Sequence, residues 1–288
     1  MSDRFVGGYR IDLEDKDGLL ATSVTPRRLL MVGETPERVD PRNSPLKDHG
    51  FLQVEDQAQQ GSCQGQALSE TGEVCYYVAT GKVIQLSRQM SYIGSQIEDK
   101  INGDRGSTLS GGTKLALKGI CRESIGPYMS QYPGHGYITN EMRKDGENFR
   151  LQSHTDIKSS DHGREFVGSG TGIIQIGIAW GNAMTPDSSG CITSFSAGSN
   201  SGGHSVVFAG YVPDSDVGKQ SGSGWWWLLK NSWGKRWGVS GYAYVSPRAF
   251  DQMLKHQFTV MLGRSDMATP DIRNLPHDFT APGKGIRV

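Results

Sequence analysis

The chain has 288 residues, and 30 Lys and Arg side chains balance 30 Asp and Glu side chains, so its formal net charge is zero. A neutral chain offers no general electrostatic attraction for nucleic acid or for an anionic membrane surface. Its apolar runs, at 172–180, 206–211 and 225–229, are far shorter than the roughly 18–20 residues that a membrane span needs. Neither nucleic acid nor a membrane is therefore expected as a partner.

Glycine is unusually frequent, with 39 residues against an average usage of roughly 7%. The 6 Trp, 9 Phe and 10 Tyr argue against low-complexity disorder. The glycines are therefore expected in turns, at close backbone contacts or along a binding cleft.

The N-terminal sequence MSDRFVGGYRIDLEDKDG lacks the apolar stretch of a secretory signal. The four cysteines, at 63, 75, 121 and 191, form no CxxC pair, so a zinc ribbon is not expected. Reduced thiols in a cytoplasmic setting are the default expectation. No metal and no organic cofactor is predicted.

The first half of the chain reads as an arm followed by helices. Residues 1–45 are rich in charge, Gly and Pro and are expected to form an extended arm. Helical spacing of apolar residues begins at Cys63 and ends at Gly81, and a second helix starts near the N-cap residue Ser87. A third short helix is predicted over residues 110–118.

After residue 140 the pattern changes to short strands separated by Gly, Asp and Ser. Ser246 and Pro247 then begin a last short helix, and residues 262–288 read as an extended tail. The predicted fold is α+β, with a helical lobe at 46–140 and a β-rich lobe at 141–261. The strands are predicted at 172–180, 203–212, 225–230 and 241–245.

Cys63 is the first candidate for chemistry because a Gly-Ser turn delivers it to a helix start. Free backbone N–H groups and the helix dipole stabilise a thiolate there. Taken alone, a packed thiol explains this position equally well.

Two further segments carry candidate groups. His204 opens an apolar strand after Gly202 and Gly203, which let another backbone or a substrate approach. Asn231 ends a strand, and Trp233 two positions later can shield an Asn–His hydrogen bond from water. Alone, a structural histidine and an aromatic packing turn would explain these segments. Together with Cys63 they supply the nucleophile, base and orienting group that a cysteine enzyme needs.

In these segments the chain resembles the papain-like cysteine peptidases, in particular their bacterial and viral branch, over roughly residues 46–260. Cys63 matches the nucleophile, and Gln57, six residues earlier, matches the oxyanion-hole glutamine. His204 in Gly-Gly-His-Ser-Val matches the base, and Asn231 in Lys-Asn-Ser-Trp-Gly matches the orienting amide. His204 follows Cys63 by 141 residues, within the family's separation of roughly 130–150.

The resemblance implies a papain-like two-lobe fold with a cleft between the lobes and a protein or peptide as substrate. It implies a thiolate–imidazolium pair, with the thiolate pKa lowered to about 3–4. Gln57 and the Cys63 backbone N–H would form the oxyanion hole. Gly106 would bind substrate backbone, Arg105 would narrow or charge the cleft, and Gly203 would line it.

The sequence also departs from the plant and lysosomal members. Gln64 stands where they have Trp, and Gln60 stands where they have a disulfide-forming Cys, which fits a reducing compartment. Those enzymes also carry a helical inhibitory propeptide of about a hundred residues. Some fifty residues precede the active-site region here, without a long helical pattern, so control by such a propeptide is not expected.

A cysteine endopeptidase is the leading functional hypothesis, and a hydrolase of cell-wall peptides is a variant of it. The alternative is a structural component of a larger assembly, such as a virion, whose partners hold the terminal arms. The predicted location is cytoplasmic or virion-associated.

Overall fold

The computed structural model describes residues 8–23, 35–43, 53–181, 184–196 and 202–267. These residues form an α+β fold of two lobes, one helical and one built on a seven-stranded sheet. The fold class predicted from the sequence is confirmed.

The first five helices are Lys16–Ala21 (α1), Cys63–Thr80 (α2), Arg88–Asp99 (α3), Leu109–Lys118 (α4) and Asn140–Gly146 (α5). Helices α2 to α5 belong to the helical lobe, and α1 lies in the N-terminal arm. The Ser87 side chain accepts a hydrogen bond from Met90 N and starts α3, since such a cap satisfies a free backbone donor. Gly81 follows the last residue of α2, and its φ of 68° is left-handed, which costs glycine little.

The helical lobe encloses its own apolar core, to which α2, α3 and α4 contribute Leu68, Met90 and Leu115. Met142 of α5 and Phe149 are buried in the same core. The helical lobe therefore continues past residue 140, where the sequence pattern had placed its end.

The strands of the sheet lobe are Leu151–Asp156 (β1), Ile173–Trp180 (β2), Cys191–Ile192 (β3), Gly202–Pro213 (β4), Trp225–Lys230 (β5), Tyr242–Val245 (β6) and Val260–Met267 (β7). Their order in the sheet is β1-β7-β2-β4-β5-β6-β3, antiparallel except for the β3–β6 pair. Three helices complete this lobe: Ser160–Gly168 (α6), Asp214–Val217 (α7) and Pro247–Leu254 (α8).

Aromatic side chains fill the core of the sheet lobe. Trp227 of β5 stacks on Phe250 of α8 with ring centroids 4.8 Å apart, and both are fully buried. Ser246 caps α8 by accepting from Ala249 N, as its sequence predicts. Stacked aromatic pairs stabilise such cores by about 0.5–1.5 kcal/mol beyond the area they bury.

The predicted start of the tail at residue 262 is wrong, because β7 runs to Met267 and lies between β1 and β2. Polar residues in its second half hide the strand from a hydrophobic pattern. The buried Arg264 guanidinium donates to Gln175 Oε1 and Thr113 Oγ1. The remainder of the predicted tail lies outside the described residues.

The N-terminal arm is less extended than predicted, since it contains α1 and 3₁₀ turns at Ile11–Leu13 and Pro41–Asn43. Val39 exchanges two backbone hydrogen bonds with Tyr211 of β4, at 2.9 and 2.8 Å. The described parts of the arm thus pack on the chain's own lobes.

Helix α2 joins the two lobes. It contacts α3 on one side and strands β2, β4 and β7 on the other. A buried ion pair between Lys230 of β5 and Glu70 of α2, with Nζ and Oε1 2.9 Å apart, crosses the same junction. The first residue of α2 therefore lies where the lobes meet.

Candidate active site

Cys63 is the first residue of α2. The turn before it is fixed by side chains of the helical lobe: Gly61 N donates to Asp104 Oδ1 at 2.8 Å, and Ser62 Oγ lies 2.7 Å from the Tyr128 hydroxyl. The backbone amide of Ser205, the residue after His204, faces the Cys63 sulfur and favours its thiolate form. The fold thus brings the start of α2 to the start of β4, although 141 residues separate Cys63 from His204.

His204 and Asn231 lie together in the sheet lobe, on β4 and just after β5. His204 Nε2 lies 2.8 Å from Asn231 Oδ1, and the same oxygen accepts from Ser232 N at 2.8 Å. An oxygen acceptor requires the proton on Nε2, so this bond assigns the tautomer whose Nδ1 is free to take a proton. Asn231 therefore orients the ring as an orienting group would.

Tryptophan rings surround the His204 imidazole. The Trp233 ring centroid lies 4.6 Å from that of His204, and Trp180 meets the same ring edge-on at 4.7 Å. His204 and Asn231 are 1% and 2% exposed. The indole rings thus exclude water from the His–Asn hydrogen bond, which strengthens it.

Gln57 links the turn before α2 to Ser232, the residue after Asn231. Its backbone N donates to Ser232 O at 2.9 Å, and its side-chain oxygen accepts from the Ser232 hydroxyl at 2.7 Å. Its amide nitrogen donates to Gln60 O at 3.0 Å. A carboxamide nitrogen carries two protons, so one proton remains available beside the turn that leads to Cys63.

The N-terminal residues 8–22, here called the strap, lie in the cleft over Cys63. Gly8 O accepts from Ser107 N at 3.0 Å in the helical lobe, and Tyr9 N donates to Gly203 O at 3.2 Å in the sheet lobe. A Cβ atom at Gly8 would lie 2.7 Å from Cys63 Sγ, and Cys63 is 0% exposed. The strap therefore closes the cleft.

Burial beneath the strap sets the protonation of the pair. Loss of solvent raises the pKa of Cys63 to about 12, although backbone amides of Ser205 and Gly8 oppose the shift. Loss of solvent lowers the pKa of His204 to about 4, opposed by the bond to Asn231. No hydrogen bond joins the two side chains among the described residues. Burial beneath the strap thus disfavours the charged form of both groups, and the expected thiolate–imidazolium pair stays a prediction for the open cleft.

A sequence model of the family described as papain family cysteine protease matches residues 35–259. The chain belongs to the papain family of cysteine proteases. Germination-specific cysteine protease 1 of Arabidopsis thaliana is 26% identical over 215 residues, which cover 73% of this chain and 51% of that protein. The viral cathepsin of Cydia pomonella granulosis virus is 23% identical and covers 83% and 66%, respectively.

Among solved structures, the papain-family fold recurs in xylellain, a cysteine protease from Xylella fastidiosa. It matches with a TM-score of 0.64 and 19% identity, covering 92% of this chain and 99% of that one. A ragweed pollen cysteine protease in its proform has a TM-score of 0.63. The chain spans about half the length of the first curated relatives that it matches.

The papain-family cleft residues predicted from sequence differ in their surroundings. Gly106 N donates to the Tyr92 hydroxyl and Gly106 O accepts from Gln96, so its backbone groups are already bonded. Arg105 is exposed. The adjacent Ser107 is the residue whose backbone N–H and C=O pair with the strap. A role of Gly106 and Arg105 toward substrate remains a prediction.

The strap backbone approaches Gly203, the glycine directly before His204. A Cβ atom at Gly203 would lie 1.9 Å from Tyr9 O, so a side chain at this position would exclude the strap.

Gln60 stands where the plant and lysosomal members have a disulfide-forming Cys. Its side-chain amide exchanges hydrogen bonds with the side-chain amide of Gln89, at 3.0 and 3.3 Å. All four cysteines are free and buried.

Sequence reasoning missed Trp180 and the strap. Trp180 ends an apolar run, and only the strand register of the structure, which pairs it with Gly202, places it near His204. Among the described residues, no group of His, Cys, Asp and Glu could hold a metal ion, and no helix is long and apolar enough to cross a membrane.

Proposed function

We propose that the chain is a cysteine endopeptidase that hydrolyses peptide bonds of protein or peptide substrates with Cys63, His204 and Asn231. The hydrogen bond from His204 Nε2 to Asn231 Oδ1 carries this proposal, because it leaves Nδ1 as the base. Membership of a protease family supports the same reaction.

The reaction begins when His204 Nδ1 takes the proton of the Cys63 thiol in the open cleft. The thiolate attacks the substrate carbonyl carbon, and the resulting oxyanion accepts from the Gln57 amide and the Cys63 backbone N–H. Each such donor contributes roughly 2.7–4 kcal/mol to the transition state. His204 then protonates the leaving amine, and an acyl-enzyme remains on Cys63. Water gives a proton to His204, attacks the thioester and releases the acid and the thiol.

We further place the protein in a reducing, cytoplasmic or virion-associated setting and in the microbial branch of the family. Gln60 supports this placement, because it replaces a half-cystine and holds Gln89 through an amide pair instead. The described parts of the N-terminal arm contact the chain's own lobes, which weakens the case for an assembly role that rested on partner-held arms.

The test is hydrolysis of casein or of a peptide library by wild type, Cys63→Ala and Cys75→Ala. Cys75 is a matched control because it is buried on the same helix, α2, and takes no part in the proposed reaction. Activity lost in Cys63→Ala and kept in Cys75→Ala supports the proposal. Hydrolysis that survives Cys63→Ala overturns it, and cleavage of cell-wall peptides alone would select the cell-wall variant.

A further inference from the structure

We propose that Gln66 and Ser205 are positioning residues of the His204–Asn231 pair, and that they hold the Asn231 carboxamide through one enclosed water molecule. The reaction proposed above uses neither of these side chains. The proposal rests on the proposed peptidase function for its consequence, but its test reads the His204 ring and not hydrolysis.

A small polar cavity lies where α2 meets β4 and the end of β5. Its volume is about 10 Å³, which is roughly the room that one water molecule needs. Gln66 of α2, Ser205 of β4 and Asn231 line it, and they are 3%, 1% and 2% exposed. The cavity therefore adjoins the orienting amide from the junction of the lobes.

Each of these three residues has one buried polar atom with no protein partner among the described residues. The atoms are Gln66 Oε1, Ser205 Oγ and Asn231 Nδ2. Buried polar groups are usually bonded either to protein or to an enclosed water. Three such groups around one cavity of this size indicate a water site, because a buried water typically makes about three hydrogen bonds.

The orientation of the Asn231 carboxamide is fixed from its oxygen side. Oδ1 accepts from Ser232 N at 2.8 Å and lies 2.8 Å from His204 Nε2. A backbone N–H can only donate, so the oxygen and the nitrogen of this amide cannot be exchanged. Nδ2 is thus the free donor, and the enclosed water accepts from it.

The orientation of the Gln66 carboxamide follows from a chain of hydroxyl groups. The Tyr128 hydroxyl donates to Gln57 O at 3.0 Å. Because a hydroxyl has a single proton, Ser62 Oγ, which lies 2.7 Å away, donates to the Tyr128 hydroxyl. Ser62 Oγ in turn accepts from Gln66 Nε2 at 3.4 Å. This leaves Gln66 Oε1 as an acceptor for the water.

One water completes the hydrogen bonding of all three groups. It accepts from Asn231 Nδ2, donates one proton to Gln66 Oε1 and shares the other with Ser205 Oγ. Lys230 and Glu70 also line the cavity, but their side chains pair with each other at 2.9 Å. The water is therefore held by the other three side chains.

Both positioning residues lie close to the candidate nucleophile along the chain or in space. Gln66 follows Cys63 by three residues, nearly one turn of α2. The backbone amide of Ser205 faces the Cys63 sulfur. The water site thus ties the amide that orients His204 to the helix that carries Cys63, and it keeps Asn231 from rotating away from the ring.

The test follows the Nε2 proton of His204 by NMR in the isotope-labelled full chain, with the signal assigned through its loss in His204→Ala. Gln66→Met keeps the length of the side chain and removes the acceptor, and Ser205→Ala removes the hydroxyl. Ser69→Ala is the matched control, because Ser69 is a buried serine of α2 whose hydroxyl bonds within the helical lobe.

We expect the Nε2 proton to exchange with solvent roughly 2- to 10-fold faster in Gln66→Met than in wild type, since a hydrogen bond that holds the amide is lost. Ser205→Ala should show a gain of about twofold and Ser69→Ala none. The double variant should exchange little faster than Gln66→Met, because both side chains act through the same water.

Exchange at the wild-type rate in Gln66→Met, with the fold intact, would overturn the proposal. If Gln66→Met does not fold, Ser205→Ala decides by the same criterion. A crystal structure of the wild type should show one water within about 3.2 Å of Gln66 Oε1, Ser205 Oγ and Asn231 Nδ2, and a dry cavity would also overturn the proposal.

Hydrolysis separates this proposal from the peptidase function. In the Gly8→Val chain, whose added side chain cannot fit over Cys63, Gln66→Met should lower kcat roughly 2- to 10-fold and leave KM unchanged. Faster proton exchange in a chain that hydrolyses no peptide would retain the positioning role and reject the peptidase. Hydrolysis with unchanged proton exchange in Gln66→Met would retain the peptidase and reject the positioning role.

Discussion

Gly8 lies directly over Cys63, so close that a Cβ atom on Gly8 would lie 2.7 Å from the Cys63 sulfur. The two residues are 55 positions apart, and the contact removes the thiol from solvent. The protein thus has its candidate nucleophile at the expected helix start but in a covered state.

The pH dependence of Cys63 alkylation by iodoacetamide should reveal this covered state. Burial disfavours the thiolate and raises the pKa of Cys63 to about 12, so the thiolate fraction falls as pH drops below that value. Between pH 7 and 10 the wild-type rate should rise about tenfold per pH unit. In Gly8→Val the rate should be nearly flat over this range, since an exposed thiolate–imidazolium pair is already ionised. A flat wild-type profile would contradict the covered state.

Asn231 should matter for turnover more than for folding. Asn231→Ala removes the acceptor 2.8 Å from His204 Nε2, so the ring loses its tautomer and orientation. We expect kcat to fall by roughly 10²–10⁴ with little change in KM, measured with a fluorogenic peptide on the Gly8→Val variant. Asn148→Ala is the control, because Asn148 is exposed and bonds only locally. Equal activities of the two variants would remove Asn231 from the mechanism.

Gln57 should act on the transition state. Gln57→Ala should lower kcat by about 10²–10³ and leave KM nearly unchanged in the same assay. Gln53, exposed and four residues earlier, provides the control Gln53→Ala. A rise in KM at constant kcat would show that Gln57 binds substrate and does not stabilise the oxyanion.

The Lys230–Glu70 pair should stabilise the junction of the lobes. Lys230→Met leaves Glu70 buried without its cation, which typically costs about 3–5 kcal/mol of unfolding free energy in urea titrations. Glu70→Gln combined with Lys230→Met should recover much of that loss. Lys118→Met is the control, since Lys118 is 62% exposed and pairs with Glu98 at the surface, where the effect should stay below about 1 kcal/mol. Similar losses for both lysines would contradict the assigned role.

The sequence sufficed for elements whose ends carry local signals. Helix α2 begins at Cys63 and stops at Gly81, and Ser246 and Pro247 begin α8. Motif and spacing predicted Cys63, His204 and Asn231 as site residues, and the family resemblance added Gln57. In the fold, Asn231 bonds to His204 and to Ser232, and Ser232 bonds to Gln57.

The strap and β7 could not be predicted because tertiary contacts determine them. Gly8 and Tyr9 have no periodic pattern, and the cleft alone fixes their backbone. In β7, the guanidinium of Arg264 is buried because Gln175 and Thr113 accept hydrogen bonds from it. These two partners are 89 and 151 residues away in the sequence. The burial of Cys63 could not be predicted for the same reason, since its cover comes from the N-terminal arm.

Covalent capture by a thiol-directed peptidyl inhibitor, read by intact mass and peptide mapping, tests the roles of Cys63 and His204. It should be made on whichever of wild type and Gly8→Val shows the faster Cys63 alkylation, with and without His204→Ala. We expect a single adduct on Cys63 at pH 7, formed roughly 10²–10⁴ times more slowly when the His204 imidazole is removed. No adduct, or an adduct whose rate ignores His204→Ala, would contradict the assignment of Cys63 and His204 as nucleophile and base.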